Sequence, residues 1–170
     1  MKLKDYMKEV TASATGERTG RQMVLAVDCT EGGSAASPDE YAVVANHVEN
    51  HGASLNAKTT DKSYIGEGEM TLKTGVQRTF AVTGQLLRGD EFHDTMNSHA
   101  MKFGVGSEVQ RGYVYFDPGT KKGEKGKVTI SVNKDGAGAA GDPGDIDVTL
   151  AVIGTPNEYT YAETAAATEG

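Results

Sequence analysis

The feature that most constrains the fold is a two-residue alternation of apolar and polar side chains, which recurs along the second half of the sequence. Successive side chains of a β-strand point to opposite faces, so this alternation is typical of strands with one buried face. It occurs in RTFAVTGQLL (78–87), KGKVTISVN (125–133) and IDVTLAVI (146–153). Shorter apolar runs at 22–28, 41–50 and 53–58 are interpreted as further strands.

The segment YVYFDPGTKKGEKGKVTISV, residues 113–132, predicts a β-hairpin that has a structural role and carries no catalytic residue. We expect its two strands to present their apolar side chains to one common face, with Val114 and Phe116 matched by Val128, Ile130 and Val132. The lysines are expected to remain in solvent at the tip or on the outer face, and they are Lys121, Lys122, Lys125 and Lys127.

The segment RGDEFHDTMNSHAMKFG, residues 88–104, predicts a single helix that begins after the capping residue Asp90 and ends at Gly104. Its apolar residues follow helical spacing and predict one buried stripe. The expected fold is therefore mainly β (α+β), a β-sandwich or closed sheet flanked by one α-helix. The predicted helix–sheet core is Phe80, Val82, Phe92, Met96, Phe103, Val114, Phe116, Val128, Ile130 and Val132.

The core must be thin, because Val, Ile, Leu and Phe together supply 30 of the 170 residues while glycine supplies 22. Long polar segments gain little from burial to offset the entropy lost on ordering, so we expect them to stay loose or to order against partner chains. The sequence is divided into an arm at 1–20, a β-domain at 21–154 and a tail at 155–170.

Residues 59–77, TTDKSYIGEGEMTLKTGVQ, show no sustained period and predict a long loop inside the domain. Loops of this length are uncommon in compact domains and usually have a function or a binding partner. The candidate contact residues in this loop are Thr59, Asp61, Lys62, Tyr64, Ile65, Glu67, Glu69, Met70, Leu72 and Lys73.

Three patterns suggest chemistry, and each has a simpler explanation. GAGAAG, residues 136–141, matches a dinucleotide-binding fingerprint, but a strand is expected after it where the fingerprint needs a helix. The acidic turn 133–147 departs from the EF-hand spacing, although an irregular calcium site stays an open alternative. Asp90, Glu91 and Asp94 are explained by helix capping and by the helix dipole. We therefore expect no catalytic, cofactor-binding or metal-ligating residues and no enzymatic activity.

The charge of −7 argues against an adhesive nucleic-acid surface, which usually carries clustered lysine and arginine. The single cysteine, Cys29, has no partner for a disulfide within the chain, and the first residues are too polar for a signal peptide. No apolar run approaches the roughly 20 residues that cross a bilayer.

Several segments, in order, resemble the tail tube proteins, or major tail proteins, of long-tailed phages of Gram-positive bacteria. They are TTDKSYIGEG, KTGVQRTFAVTG, GDEFHDTMNSH, VYF with GEKGKVTISVN, and DGAGAAGDPGDIDVTL. This resemblance covers about three fifths of the chain and implies a β-sandwich flanked by a helix. It further implies rings of six copies that stack into a tube conducting the genome into the host.

The resemblance also implies where subunits meet. The loop 59–77 is then the candidate for ring stacking, and the arm 1–20 and the tail after Gly154 are candidates for contacts between rings. The expected partners are other copies of the chain, a tape-measure protein and genomic DNA in the lumen, and tail-terminator and baseplate or tail-tip proteins. The expected location is the virion tail, assembled in the cytoplasm of the host bacterium.

A second hypothesis is a monomeric carbohydrate-binding β-sandwich. Such modules usually place several aromatic side chains on one exposed face, whereas aromatic residues make up 6% of this sequence and tryptophan is absent. Electron microscopy separates the two hypotheses, because rings or tubes support the first and uniform small particles with sugar affinity support the second.

Overall fold

The computed structural model describes residues 1–10, 12, 15–17, 19 and 22–162. Its main sheet has eight strands, and seven of them follow the order β2-β1-β7-β8-β9-β6-β3, with β10 paired to the first half of β8. Every pairing described in this sheet is antiparallel. The strands are β1 Val24–Val27, β2 Ala42–Val43, β3 Val48–Ser54, β6 Thr79–Gln85, β7 Gln110–Phe116, β8 Lys122–Ala137, β9 Asp145–Val152 and β10 Asn157–Thr160.

The remaining elements are short. The helices are α1 Leu3–Glu9, α2 Glu91–Met96 and α3 His99–Phe103, and 3₁₀ turns occupy Glu31–Gly33, Pro38–Glu40 and Gly106–Val109. A separate two-stranded sheet consists of β4 Lys58–Tyr64 and β5 Gly68–Gly75. Within the described residues, no helix is long and apolar enough to span a membrane.

The main sheet curls around a first core cluster, because alternating side chains of its strands all point to the same concave side. β6 contributes Phe80 and Val82, and β9 contributes Ile146, Val148 and Leu150. Phe92 and Met96 from α2 and Met101 from α3 close this cluster from outside the sheet. The prediction of a mainly β fold with helical cover is confirmed.

The predicted single helix is two helices. Asp90 caps α2 as predicted, with its carboxylate accepting hydrogen bonds from the backbone amides of Phe92 and His93. Ser98 then caps α3 through the Met101 amide, so the helix is interrupted after Met96. The interruption changes the phase of the apolar stripe. Met101 is buried, while Phe103, predicted for the core, is 69% exposed.

The strand pair β7–β8 corrects the predicted common face of the hairpin. The observed register pairs Arg111 with Val128 and Val114 with Lys125. Directly paired residues share a face, so Val114 and Phe116 lie on the opposite side of the sheet from Val128 and Ile130. Val114 and Phe116 therefore do not contact the helices α2 and α3, and they belong to a second core cluster.

This second core cluster lies on the convex side of β1 and β7 and is covered by both ends of the described chain. From α1, Leu3 is fully buried, and from the C-terminal side Tyr161 stacks on Phe116 with ring centroids 5.6 Å apart. β1 is buried on both faces as a result. The parts of the predicted arm and tail that the structure describes thus pack on the sheet. Positions 11, 13, 14, 18, 20, 21 and 163–170 lie outside the described residues.

Two other sequence interpretations differ from the structure. Separate strands are expected at 41–50 and at 53–58. The structure instead has β3 at Val48–Ser54, which overlaps the end of the first segment and the start of the second. Residues 59–77, predicted as a loop, form most of the β4–β5 hairpin. Their exposure on both faces removes the burial pattern that identifies a strand from sequence.

Candidate assembly interface

The β4–β5 hairpin stands outside the core, because every residue of β4 and nearly every residue of β5 is exposed. Its turn runs from Tyr64 to Gly68, where glycine occupies a left-handed backbone conformation with φ of 78°. All ten candidate contact residues predicted from the sequence lie in this hairpin and are exposed. The structure therefore brings them together on one projecting element.

The hairpin is amphipathic. In the register Lys62–Met70 and Thr60–Leu72, the side chains of Tyr64, Met70 and Leu72 share one face. Their exposed fractions are 44%, 42% and 39%, and Ile65 at the tip is fully exposed. The opposite face is polar and consists of Thr59, Asp61, Ser63, Glu69, Thr71 and Lys73. On it the Thr71 hydroxyl donates to the Asp61 carboxylate at 2.7 Å.

Polar contacts fix the base of the hairpin to the sheet. The Asn56 side-chain amide donates to the Gln77 carbonyl at 3.1 Å and to the Thr79 hydroxyl at 2.8 Å. The Gln77 amide donates to the Leu55 carbonyl at 3.0 Å. The chain therefore enters and leaves the hairpin through a closed base, which holds the projecting strands at a defined place on the domain.

Next to this base, Arg78 forms a partly buried charge cluster. Its Nε donates to the Glu124 carboxylate at 2.8 Å, and its guanidinium lies over the rings of Phe80 and Tyr115 at 5.0 and 4.9 Å from their centroids. The Tyr113 hydroxyl donates to the same carboxylate at 3.1 Å. Burial, followed by the neighbouring Glu124 charge, raises the pKa of Tyr113 well above its usual range. This cluster connects the hairpin exit to β8, and no local sequence pattern signals it, because Arg78 and Glu124 are 46 residues apart.

A groove lies beside β3, which is the last strand of the main sheet and, among the described residues, pairs with β6 alone. The groove has a volume of about 630 Å³. Its apolar lining includes Val44, Ala45, Val48 and Tyr115, and its charged or titratable lining consists of Glu49 and His51. Sequence reasoning missed this groove, since it depends on the curl of the sheet.

The segments that resemble calcium-binding and dinucleotide-binding motifs have structural roles in the fold. The acidic turn has Asp135 in a salt bridge with Lys102 at 3.2 Å and Asp145 near Lys134 at 4.0 Å. The GAGAAG segment is followed by β9 and not by a helix. Across the described part of the chain, no group of three or more His, Cys, Asp or Glu side chains is placed to hold a metal ion.

Comparison with solved structures identifies chains that have a similar fold. One similar chain belongs to a structure of the tail of an empty gene transfer agent particle, obtained by helical refinement with C6 symmetry. The match has a TM-score of 0.62 at 16% identity and covers 85% of this chain and 100% of that one. The two chains share a fold.

A second similar chain comes from a structure of the virion of a native gene transfer agent particle. This match has a TM-score of 0.61 at 15% identity and again covers 85% of this chain and 100% of that one. No protein-family model and no curated protein matches the sequence. At these identities, the likeness to the gene transfer agent structures establishes the fold.

Proposed function

We propose that this protein is a tail tube subunit, six copies of which close into a ring, and that the rings stack into the tube through which a phage or phage-like particle passes its genome. The observation that carries this proposal is the fold likeness to a chain in a helically refined tail with C6 symmetry, a likeness that spans that entire chain. The proposed role is structural, and the proposed location is the virion tail.

The hairpin supports an assembling role. A two-stranded hairpin on its own is at best marginally stable in water, and this one projects with an apolar face uncovered. Contact with another copy would cover that face. We assign the β4–β5 hairpin, including all the exposed candidate residues from Thr59 to Lys73, to stacking between rings.

The charge of the chain is compatible with a conduit for DNA. A net charge of −7 favours repulsion of phosphates over binding, so DNA in a lumen of this sign would slide. The proposed partners beyond other copies are a tape-measure protein and genomic DNA inside the tube, and terminator and baseplate or tip proteins at its ends.

Negative-stain electron microscopy of the concentrated protein tests the proposal. Rings with six-fold symmetry or tubes are expected. Uniform small particles at every concentration would contradict it, and binding of those particles to a glycan array would favour the carbohydrate-binding alternative.

A further inference from the structure

We propose that the apolar face of the β4–β5 hairpin of one copy docks in the groove beside β3 of a second copy, with Lys62 placed against Glu49. This inference rests on the proposed stacking function and names both halves of the contact. The hairpin half is the face formed by Tyr64, Met70 and Leu72, and the receiving half is the groove lined by Val44, Val48 and Tyr115.

The hairpin face requires a cover that its own domain does not give. Tyr64, Met70 and Leu72 line up along one side of the hairpin, and each keeps about two fifths of its surface exposed in the single copy. Contiguous exposed apolar side chains on an otherwise polar element mark interaction sites. The opposite face is polar throughout the paired segment, so the two faces differ in what they can bind.

The groove has an apolar lining and lies beside an edge strand, so it could cover the apolar face of the hairpin. Among the described residues, β3 is paired to β6 along one edge and to no strand along the other, and residues 48–53 contribute to the groove lining. In the described residues, β4 and β5 pair only with each other, so each of them also has an available edge. The volume of about 630 Å³ is in the range that accepts several side chains.

The two surfaces are complementary in charge. Lys62 is the charged residue on the apolar face, between Thr60 and Tyr64 on β4 and opposite Met70, and Glu49 is the acidic residue of the groove lining. Neither side chain makes a salt bridge to another described residue. Docking would bring these opposite charges together at the edge of an apolar contact, which fixes the register of the hairpin in the groove.

The contact is directional, because one copy presents a hairpin and the next presents a groove. A copy whose groove is filled still has its own hairpin free, so the same contact can repeat, and it builds an open stack where the rotation between copies does not close into a ring. Stacking of rings requires this property along the tube axis.

Charge reversal tests the pairing. Lys62→Glu and Glu49→Lys are each expected to place like charges together and to raise the protein concentration needed for tubes by at least about tenfold, leaving rings intact. The double variant Lys62→Glu with Glu49→Lys restores the opposite charges and is expected to form tubes again. Tubes are measured by sedimentation and by negative-stain microscopy.

Two matched controls carry the same substitutions elsewhere. Lys127→Glu changes an exposed lysine on β8, and Glu31→Lys changes an exposed acid in the 3₁₀ turn Glu31–Gly33, and both residues lie outside the hairpin and the groove lining. Both are expected to stack like the unchanged chain. All of these positions are exposed, so thermal melting of each variant should match that of the unchanged chain.

The outcomes separate this inference from the proposed function. If the unchanged chain forms tubes and both single reversals also do, or if the double variant fails to restore them, the assigned pairing is wrong while the tail tube proposal stands. If the unchanged chain forms neither rings nor tubes, the proposed function fails and the pairing fails with it.

Discussion

Gly84 shows at the residue scale how closely the edge strand packs on the sheet. It lies in β6 opposite Val48, where the pairing with β3 has a register shift. A Cβ atom at this position would collide with the backbone carbonyl of His47 and would lie 2.9 Å from the Cα atom of Val48. The groove beside β3 therefore depends on a residue without a side chain.

We expect Gly84→Ala to destabilise the protein by about 1–3 kcal/mol, because the backbone of β3 must move to admit the methyl group. The control is Gly66→Ala in the hairpin turn, where a Cβ atom would meet nothing within 4 Å. Thermal unfolding should show a loss of several degrees for the first variant and little change for the second. Equal melting temperatures of the two variants would mean that β3 moves to admit the methyl group without a measurable loss of stability.

Cys29 gives a second prediction at the residue scale. It follows β1 and is half-buried, and burial is the main cause that raises the pKa of its thiol to about 12. The thiolate is the reactive form, so alkylation by iodoacetamide at pH 8 should be at least about a hundredfold slower in the folded protein than in urea. Mass spectrometry of timed samples measures this ratio. Equal rates in the two states would show that the thiol is not protected.

At the scale of elements, the β4–β5 hairpin should be separable from the fold. A deletion of residues 60–76, with a short glycine and serine linker, removes exposed strands and leaves Leu55, Asn56 and Gln77 in place. We expect the variant to keep the far-ultraviolet circular dichroism of a β domain and to lose tube growth completely. Normal tubes from this variant would exclude a stacking role for the hairpin.

An element can be predicted from sequence when its burial imposes a regular pattern on its own residues. β6 and β9 are predictable because burial on one face imposes a period of two on their own residues, as Phe80 and Val82 show. The hairpin β4–β5 is not, since exposure on both faces leaves only the short alternation EMTLK around Met70 as a signal. The interruption between α2 and α3 is signalled weakly by Ser98, a capping residue inside the predicted single helix.

Relations between elements are harder to predict than the elements themselves. The alternation in β7 and β8 predicts two strands but not which faces coincide, because that depends on the register set by the turn from Asp117 to Lys121. The prediction that Val114 shares a face with Val128 is therefore wrong. The groove and the cluster around Arg78 join residues far apart in the chain, so local patterns contain no information about them.

At the scale of the whole molecule, the described part of the single copy has two core clusters and the uncovered β4–β5 hairpin. The first cluster fills the curl of the sheet, and the second depends on the packing of α1 and of Tyr161 against β1 and β7. A chain with so few large apolar residues has limited stability of its own. Contacts between copies then add to folding stability by mass action, since they form only with the folded state.

Assembly should therefore raise the melting temperature of the full-length protein. At concentrations about a hundredfold above the dissociation constant of the contact, the expected stabilisation is about 2.7 kcal/mol, which shifts the melting temperature of a domain of this size by roughly 5–10 °C. Calorimetry over a concentration series that spans the onset of tubes, as seen by microscopy, measures the shift.

The hairpin-deleted variant provides the control for this series. It retains both core clusters but lacks the strands from Thr60 onward, so it should lack the part of the rise in melting temperature that accompanies tube formation. A full-length protein that forms tubes and still melts at one temperature across the series would show that the tubes come apart before the subunits unfold. In that case the hairpin contact would hold rings together at low temperature and would add nothing to the stability of the subunit at its melting temperature.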